Sequence, residues 1–208
     1  MNATPSPCQP EIITLHQDAT LMLWHDALPA VLHQDLYRNL ERQLAWGQPL
    51  VRVFGREHRT PRLTTWEGEK GVRYRYSGLT ETASGWPRLL LPVRDRVELL
   101  TGQHFNSVLG NFYRDGQDSM GYHSDDEPEL GAAPWIASLS LGASRDFVFR
   151  PRDGGRRQCA KLALADNSLL LMSPNVQFRF QHALPRRAGV TQGRINLTFR
   201  NIVQPQKA

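Results

Sequence analysis

The chain has 208 residues, which is enough for one globular domain with a short appendage and too few for two. Hydrophobic residues make up 40% and charged residues 22%, as in globular proteins, and 16 glycines with 14 prolines exclude a collagen-like or low-complexity chain. Lysine and arginine outnumber aspartate and glutamate by 25 to 20, so the composition is compatible with a polyanionic partner without requiring one.

Several sequence features indicate a cytoplasmic protein without a membrane span. The longest weakly polar stretch, residues 168–178, is too short to cross a bilayer. The first ten residues contain three prolines and lack the basic and apolar regions of a secretory signal, so we expect a flexible lead-in before a single domain over residues 11–208. Cys8 and Cys159 form no CxxC motif, which predicts neither a disulfide framework nor a thiolate metal site.

Two helices are predicted in the first half of the chain. The first begins after Pro29 and ends before Gly47, because leucines recur there at four-residue spacing: Leu32, Leu36, Leu40 and Leu44. The second is predicted over residues 93–100, since Pro92 precedes it and Gly102 follows it.

After Asn106 the pattern changes to short apolar or alternating runs separated by Gly, Pro, Asp and Asn. These runs cover residues 106–113, 135–141, 146–150, 160–164, 168–172, 176–182 and 194–201. Their lengths and spacing are typical of strands in a sandwich or jelly-roll barrel. The sequence therefore predicts an α+β fold that is mainly β, a double-stranded β-helix with the N-terminal helices packed on one sheet.

Two histidines and a carboxylate are candidates for a metal site. His123 and Asp125 are two positions apart, and in an extended backbone such side chains point to the same face. His182 ends the alternating run 176–182. Two histidines and one carboxylate are the ligand set of non-haem Fe(II) oxygenases, which leaves positions open for a co-substrate and dioxygen. Zinc in a hydrolase is the alternative at this point.

The last predicted strand alternates without a break, and its polar residues share one face: Arg194, Asn196, Thr198 and Arg200. A polar strand face is often simply exposed to water. Two arginines and an amide that follow His182 favour instead a pocket for a small dicarboxylate, because the guanidinium fork matches a planar carboxylate. Asn111 and Tyr113, also two positions apart, could donate to the same ligand.

The order of these motifs is similar to that of a known family. Asn111-x-Tyr113-x-x-Gly116 is followed by His123-x-Asp125, then His182, then Arg194-x-Asn196-x-x-x-Arg200. This signature resembles the AlkB family of Fe(II)/2-oxoglutarate dioxygenases over about residues 51–202, and within that family it most resembles the nuclear branch that repairs duplex DNA.

The resemblance implies oxidative DNA dealkylation repair. The expected reaction hydroxylates the N-methyl groups of 1-methyladenine and 3-methylcytosine and releases formaldehyde, while 2-oxoglutarate is decarboxylated. Fe(II), 2-oxoglutarate and O2 are the implied cofactor and co-substrates. The implied organisation is a nucleotide-recognition region at about residues 50–80 and a catalytic jelly roll at about residues 105–203, in a monomer that acts on alkylated DNA or on RNA.

The family's residue roles carry over onto the matching positions of this sequence. The implied iron ligands are His123, Asp125 and His182. The implied 2-oxoglutarate ligands are Asn111, Tyr113, Arg194, Asn196 and Arg200. The residues implied to contact DNA are Phe54, Arg62, Tyr74, Tyr76 and Glu127, with Phe54 filling the gap left by a flipped base. The chain departs from the family pattern in two places, because the stretch 151–161 is shorter than a basic loop of the duplex-repair branch and Tyr76 replaces a phenylalanine.

The charge distribution agrees with this expectation. Residues 115–129 carry six carboxylates and no lysine or arginine: Asp115, Asp118, Asp125, Asp126, Glu127 and Glu129. Methylation at N1 of adenine or N3 of cytosine blocks pairing and leaves a cationic base, so acid beside the metal would attract it. Two alternatives remain, namely a related oxygenase that acts on RNA or protein and a metal-free or zinc-bearing module that binds nucleic acid without catalysis. An arginine-lined dicarboxylate site argues against the second.

Overall fold

The computed structural model describes residues 9–53, 56–76, 79–153 and 157–203, and strands predominate. In the first half the strands are β1 (Glu11–His16), β2 (Ala19–Trp24), β3 (Leu50–Val53), β4 (Arg56–Arg59), β5 (Leu63–Gly68), β6 (Arg73–Tyr76) and β7 (Leu79–Thr82). In the second half they are β8 (Ser107–Tyr113), β9 (Met120–His123), β10 (Ile136–Gly142), β11 (Arg145–Pro151), β12 (Ala160–Leu164), β13 (Ser168–Met172), β14 (Phe180–Leu184) and β15 (Arg194–Arg200). The helices are α1 (Ala30–His33), α2 (Leu36–Gln43), α3 (Leu91–Thr101) and α4 (Pro174–Arg179), and a short 3-10 helix covers Pro128–Leu130.

Two antiparallel sheets form the body of the protein. The larger sheet has the strand order β1-β2-β13-β10-β15-β8-β5, and the smaller has the order β12-β11-β14-β9. Two hairpins, β3–β4 and β6–β7, lie within residues 50–82. This arrangement confirms the predicted mainly-β jelly roll.

The larger sheet is buried on both faces. On one face Leu139 and Leu197 pack with Leu40 of α2 and Val97 of α3, which confirms that the helices cover one sheet. On the other face residues such as Leu170 pack with side chains of the smaller sheet. Burial on both faces explains the continuous apolar sequence of β13, where every residue is buried. None of the described helices is long and apolar enough to cross a membrane.

The predicted helix between Pro29 and Gly47 is wrong as a single element. It consists of α1 and α2, and Asp35 between them has φ −119° and ψ 9°, outside the helical region. No residue of α1 is buried, whereas Leu36 and Leu40 of α2 are buried. The break lets α2 direct its leucines at the sheet independently of α1. The second helix is confirmed, and it ends at Gly102 in the left-handed conformation with φ 66°.

The predicted strand 176–182 is also wrong. Residues up to Arg179 form α4, and the strand β14 begins only at Phe180. Ser173 precedes the helix and Pro174 occupies its first turn, where a proline is favourable because the amide there needs no intrahelical acceptor. Phe178 is 47% exposed, so it shares no buried strand face with His182. His182 lies in the middle of β14 and does not end it.

Gly116, the glycine of the motif after β8, is a point of close backbone approach. Its N–H donates to the carbonyl of Val190 at 2.7 Å, and its carbonyl accepts from the N–H of Arg187 at 2.7 Å. A Cβ at this position would lie 1.7 Å from the carbonyl oxygen of Arg187. Any side chain here would therefore force the two backbone segments apart.

We predict that Gly116→Ala lowers the free energy of unfolding by about 1–3 kcal/mol, because the added methyl group overpacks a backbone contact that has no flexible side chain to yield. The measurement is urea denaturation of the metal-free protein. The matched control is Gly189→Ala in the segment that faces Gly116, since a Cβ there meets nothing within 4 Å. Equal stability of the two variants would contradict this account of Gly116.

Candidate active site

A cavity opens between the two sheets, and most of the predicted site residues line it. From β8 and β15 the larger sheet contributes Asn111, Tyr113, Arg194, Asn196 and Arg200. The smaller sheet contributes His123 and His182, and the loop after β9 contributes Asp125 and Glu127. The polar residues of β15 are buried. The alternative that this face is exposed to water is therefore wrong.

The three predicted metal ligands converge at one point. His123 on β9 and His182 on β14 are directly opposite each other in the smaller sheet, with ring centroids 4.3 Å apart. Asp125 lies two residues beyond β9, and its Oδ2 is 3.6 Å from Nε2 of His182. One potential ligand atom from each residue lies within 4.8 Å of the others. Strand pairing thus places the two histidines, and a loop places the aspartate.

Two buried neighbours hold Asp125 in place. The Oε1 of Gln177 in α4 accepts the backbone N–H of Asp125 at 2.9 Å. The guanidinium of Arg200 donates through Nη2 to Oδ1 of the Asp125 carboxylate. Gln177 was not predicted as a site residue, because the segment around it was predicted as a strand and no local pattern relates it to Asp125, 52 positions away.

The electrostatics of the triad suit metal binding. Burial alone would raise the pKa of Asp125, but Arg200 and the two histidines outweigh it and hold that pKa well below its usual range. Burial, reinforced by His123, lowers the pKa of His182 to about 3. Asp125 is therefore anionic and His182 neutral at physiological pH, and these are the protonation states that bind metals. The Nδ1–H of His123 donates to the carbonyl of Gly121 at 2.9 Å, which leaves its Nε2 for a metal.

The donor set and its surroundings fit both Fe(II) and 2-oxoglutarate. Two imidazoles and one carboxylate match a non-haem iron centre with open coordination positions. Within the described part of the chain, Nε of Arg194 and both Nε and Nη1 of Arg200 are buried without a hydrogen-bond acceptor. Burial lowers the pKa of Arg194 only to about 10, so this side chain keeps its charge at neutral pH. Buried, charged hydrogen-bond donors without an acceptor favour the binding of an anionic ligand.

The amide side chains of the cavity are fixed by neighbours on the same sheet. Asn196 donates through Nδ2 to Oγ of Ser138 at 2.7 Å and to the carbonyl of Leu139 at 3.1 Å. Asn111 accepts at Oδ1 from Nε of Arg62 at 2.7 Å. Arg62 is itself buried, and it contacts Asn111, one of the predicted 2-oxoglutarate ligands, in addition to any contact with a base.

A second group of side chains lies close to the triad, and of this group Glu127 lines the cavity. Tyr74 donates through its hydroxyl to Oε1 of Glu127 at 2.8 Å. Its ring stacks on Trp66, with centroids 4.5 Å and planes 17° apart. Burial raises the pKa of Tyr74 above its ordinary value, so the phenol keeps the proton that it donates. The other carboxylate oxygen of Glu127 is buried without a partner among the described residues.

Some predicted contacts with DNA lie outside the described residues. Phe54 falls in the gap between β3 and β4, and the side chain of Tyr76 is likewise not described. The same is true of residues 154–156 within the stretch 151–161. Trp66 was not predicted as a site residue. Its only signal is an aromatic residue in a half-buried strand, which is common in protein cores.

The acid-rich segment 115–129 is only partly directed at the cavity. Asp118 binds Arg114 at 2.7 Å, and Asp126 binds Arg152 at 2.7 Å. These two carboxylates therefore neutralise neighbouring arginines and add little to the potential in the pocket. The acidic members of the segment that line the cavity are Asp125 and Glu127.

Comparisons with known proteins agree with the geometry. The model of the 2OG-Fe(II) oxygenase superfamily matches residues 20–200. The DNA oxidative demethylase ALKBH2 of Mus musculus is 44% identical over 83% of this chain and 76% of its own length. The Homo sapiens protein of that name is 41% identical over 83% of this chain and 70% of its own length. The alpha-ketoglutarate-dependent dioxygenase alkB homolog 3 of Bos taurus is 39% identical over 80% of this chain and 60% of its own length.

A solved structure also shares the fold. The structure of OsALKBH1 superimposes with a TM-score of 0.63 over 92% of this chain and all of that one, at 16% sequence identity.

We predict that Asp125→Ala both abolishes metal binding and lowers the free energy of unfolding of the metal-free protein by about 3–5 kcal/mol, because Arg200 would remain buried without its carboxylate. The measurements are Mn(II) titration and urea denaturation. Asp126→Ala is the matched control, since its pair with Arg152 is 41% and 37% exposed and such pairs contribute about 1 kcal/mol or less. An Asp125→Ala protein as stable as this control would disprove the structural role of the Arg200 pair.

Proposed function

The chain belongs to the AlkB family of Fe(II)/2-oxoglutarate dioxygenases, and from this premise we propose that it demethylates DNA bases oxidatively, with 1-methyladenine and 3-methylcytosine as substrates. The names of the ALKBH2 relatives support DNA as the substrate. The observation that carries the choice of base is a buried carboxylate oxygen of Glu127, which has no hydrogen-bond partner among the described residues and lies in the same cavity as the proposed metal ligands. A buried anionic acceptor favours a base that carries a positive charge.

His123, Asp125 and His182 would hold an iron ion, which together with 2-oxoglutarate and dioxygen would supply the oxidising power to replace a methyl C–H bond by C–OH. 2-Oxoglutarate gives succinate and carbon dioxide in the same reaction. The resulting N-hydroxymethyl group breaks its N–C bond and leaves as formaldehyde, which returns the base to its unmethylated form.

The cavity's own residues bind and orient the two reactants. Arg194 would pair with the distal carboxylate of 2-oxoglutarate, and its buried Nε without an acceptor supports this role. Arg200 keeps Asp125 in its anionic form and has further buried donors for the carboxylate next to the keto group. Asn111 and Tyr113 would add hydrogen bonds from the neighbouring strand β8.

The pair formed by Tyr74 and Glu127 would receive the flipped base. Stacking on Trp66 and the hydrogen bond to Glu127 hold the Tyr74 ring in one orientation. A fixed aromatic ring and a carboxylate together recognise a flat cation, whereas an unmodified neutral base gains only the stacking. Methylated bases are also easier to extrude, because they no longer pair.

The test is formaldehyde release from methylated oligonucleotides with Fe(II), ascorbate and 2-oxoglutarate. We expect turnover on DNA that contains 1-methyladenine or 3-methylcytosine, and no turnover by His182→Ala. Glu127→Gln should lose about 10–100-fold on these cationic bases, since a hydrogen bond to a charged group contributes about 1.5–3 kcal/mol. It should lose much less on the neutral lesion 3-methylthymine. Turnover confined to methylated RNA, or equal losses on cationic and neutral lesions, would refute this proposal.

A further prediction concerns Phe54 as the residue that fills the gap in a duplex. Phe54→Ala should reduce activity on methylated double-stranded DNA by the loss of stacking, about 1–3 kcal/mol per base, and should leave the same lesion in a single strand almost unaffected. The two substrates are compared by kcat/KM alongside the melting temperature. A phenylalanine packed in the core would instead cost about 3–5 kcal/mol of stability when truncated. Equal losses on both substrates with a lowered melting temperature would therefore assign Phe54 to the core.

A further inference from the structure

Arg145, the first residue of β11, is buried in an unusual way. It is 2% exposed, and its guanidinium donates to three backbone carbonyls: Asp115 at 3.0 Å, Asp118 at 2.9 Å and Pro185 at 2.7 Å. No carboxylate of the described residues forms an ion pair with it. Arginine is rarely this buried unless it is paired with an acid.

The position of Arg145 relates it to the co-substrate end of the cavity. Its guanidinium carbon lies 5.9 Å from the centre of the Tyr113 ring, and the guanidinium carbon of Arg194 lies 5.5 Å from the same ring. Tyr113 and Arg194 are themselves paired across β8 and β15. Arg145 does not line the cavity, whereas Tyr113 and Arg194 do. Any effect of Arg145 on a ligand must therefore pass through Tyr113 or through its charge.

The two arginines place two buried positive charges near Tyr113, and the carboxylates of Asp118 and Asp115 partly offset the charge of Arg145. Burial lowers the pKa of each, and Arg145 lowers that of Arg194 further by repulsion. Moving two like charges from water into the protein interior costs free energy unless an opposite charge lies beside them. The hydrogen bond of Arg194 to a side chain is made to Oγ of Ser140, at 2.8 Å, which brings no negative charge. A bound carboxylate would relieve the repulsion between the two guanidinium groups.

We propose that Arg145 is a positioning residue for 2-oxoglutarate. It holds the Tyr113 ring beside Arg194 and adds a second positive charge close to that ring. This end of the cavity would therefore select a ligand with a distal carboxylate. The inference rests on the proposed roles of Arg194 and Tyr113 in co-substrate binding. It adds a residue outside the cavity to the set that determines which 2-oxo acid is accepted.

The test compares two ligands that differ only at the distal end. 2-Oxopentanoate carries a methyl group where 2-oxoglutarate carries its distal carboxylate. Binding of each to the Mn(II)-loaded protein is measured by calorimetry, so that no turnover is involved. Arg145→Met should weaken 2-oxoglutarate binding about tenfold, as is typical when a residue that supports a ligand contact is lost, and should leave 2-oxopentanoate binding unchanged.

Three further variants make the result interpretable. Arg145→Lys keeps the charge but not the planar fork. It should therefore recover most of the affinity for 2-oxoglutarate, to within about threefold of the unaltered protein. It also serves as the test if Arg145→Met does not fold. Arg187→Met removes a positive charge that is 44% exposed at the same end of the sandwich, and should change neither affinity. Arg194→Ala should weaken 2-oxoglutarate strongly.

The outcomes separate the inference from the function on which it rests. If Arg194→Ala weakens 2-oxoglutarate while Arg145→Met and Arg145→Lys leave it unchanged, the role of Arg145 is refuted and the co-substrate site stands. If the Arg145 variants weaken both ligands equally, or weaken Mn(II) binding as well, Arg145 is a purely structural residue and the inference fails. If Arg194→Ala has no effect, the proposed co-substrate site fails, and the role of Arg145 fails with it.

Discussion

The ion pair between Arg200 and Asp125 joins the two sheets at the centre of the site. Arg200 is the last residue of β15 in the larger sheet, and Asp125 follows β9 of the smaller one. Both side chains are almost fully buried, at 4% and 3% exposure, so each depends on the other for its charge to be tolerated. The amide of Gln177 adds a neutral hydrogen bond to the backbone of Asp125. The position of Asp125 relative to β15 thus follows from one buried interaction.

The alternation of β15 serves the core and the cavity at once. Ile195, Leu197 and Phe199 pack in the helix-covered cluster, while the residues between them line the cavity. A shift of the register by one residue would move both arginines into the apolar layer. The neighbouring strands enforce the register on both sides, with Asn196 opposite Ser140 of β10 and Asn111 of β8. The same register of β15 is therefore needed for stability and for function, because a shift that moves the residues of one face also moves those of the other.

Features with a local sequence signal could be predicted, and features that depend on tertiary contacts could not. The bounds of β12 and β13 and the face of β15 follow from apolar runs and strict alternation, and the metal triad follows from spacing and residue type. The segment before His182 also alternates, which is typical of a strand. Pro174, which lies in the first turn of α4, favours a helix instead, and packing decides between strand and helix. Contacts such as Arg62 to Asn111 join residues 49 positions apart, and no local pattern relates them.

The cavity also separates opposite charges along its length. At the Arg194 end the buried guanidinium groups of Arg194 and Arg145 both lie near the Tyr113 ring. Near Arg200, at the other end of the same strand, lie the Asp125 carboxylate and the Tyr74–Glu127 pair. In the proposed reaction the distal carboxylate of 2-oxoglutarate would be attracted to Arg194, and the cationic base would be attracted to Glu127. Because buried charges are screened little by salt, this separation would persist at physiological ionic strength. It would orient the co-substrate in the shared cavity, with its distal carboxylate at Arg194 and away from Glu127.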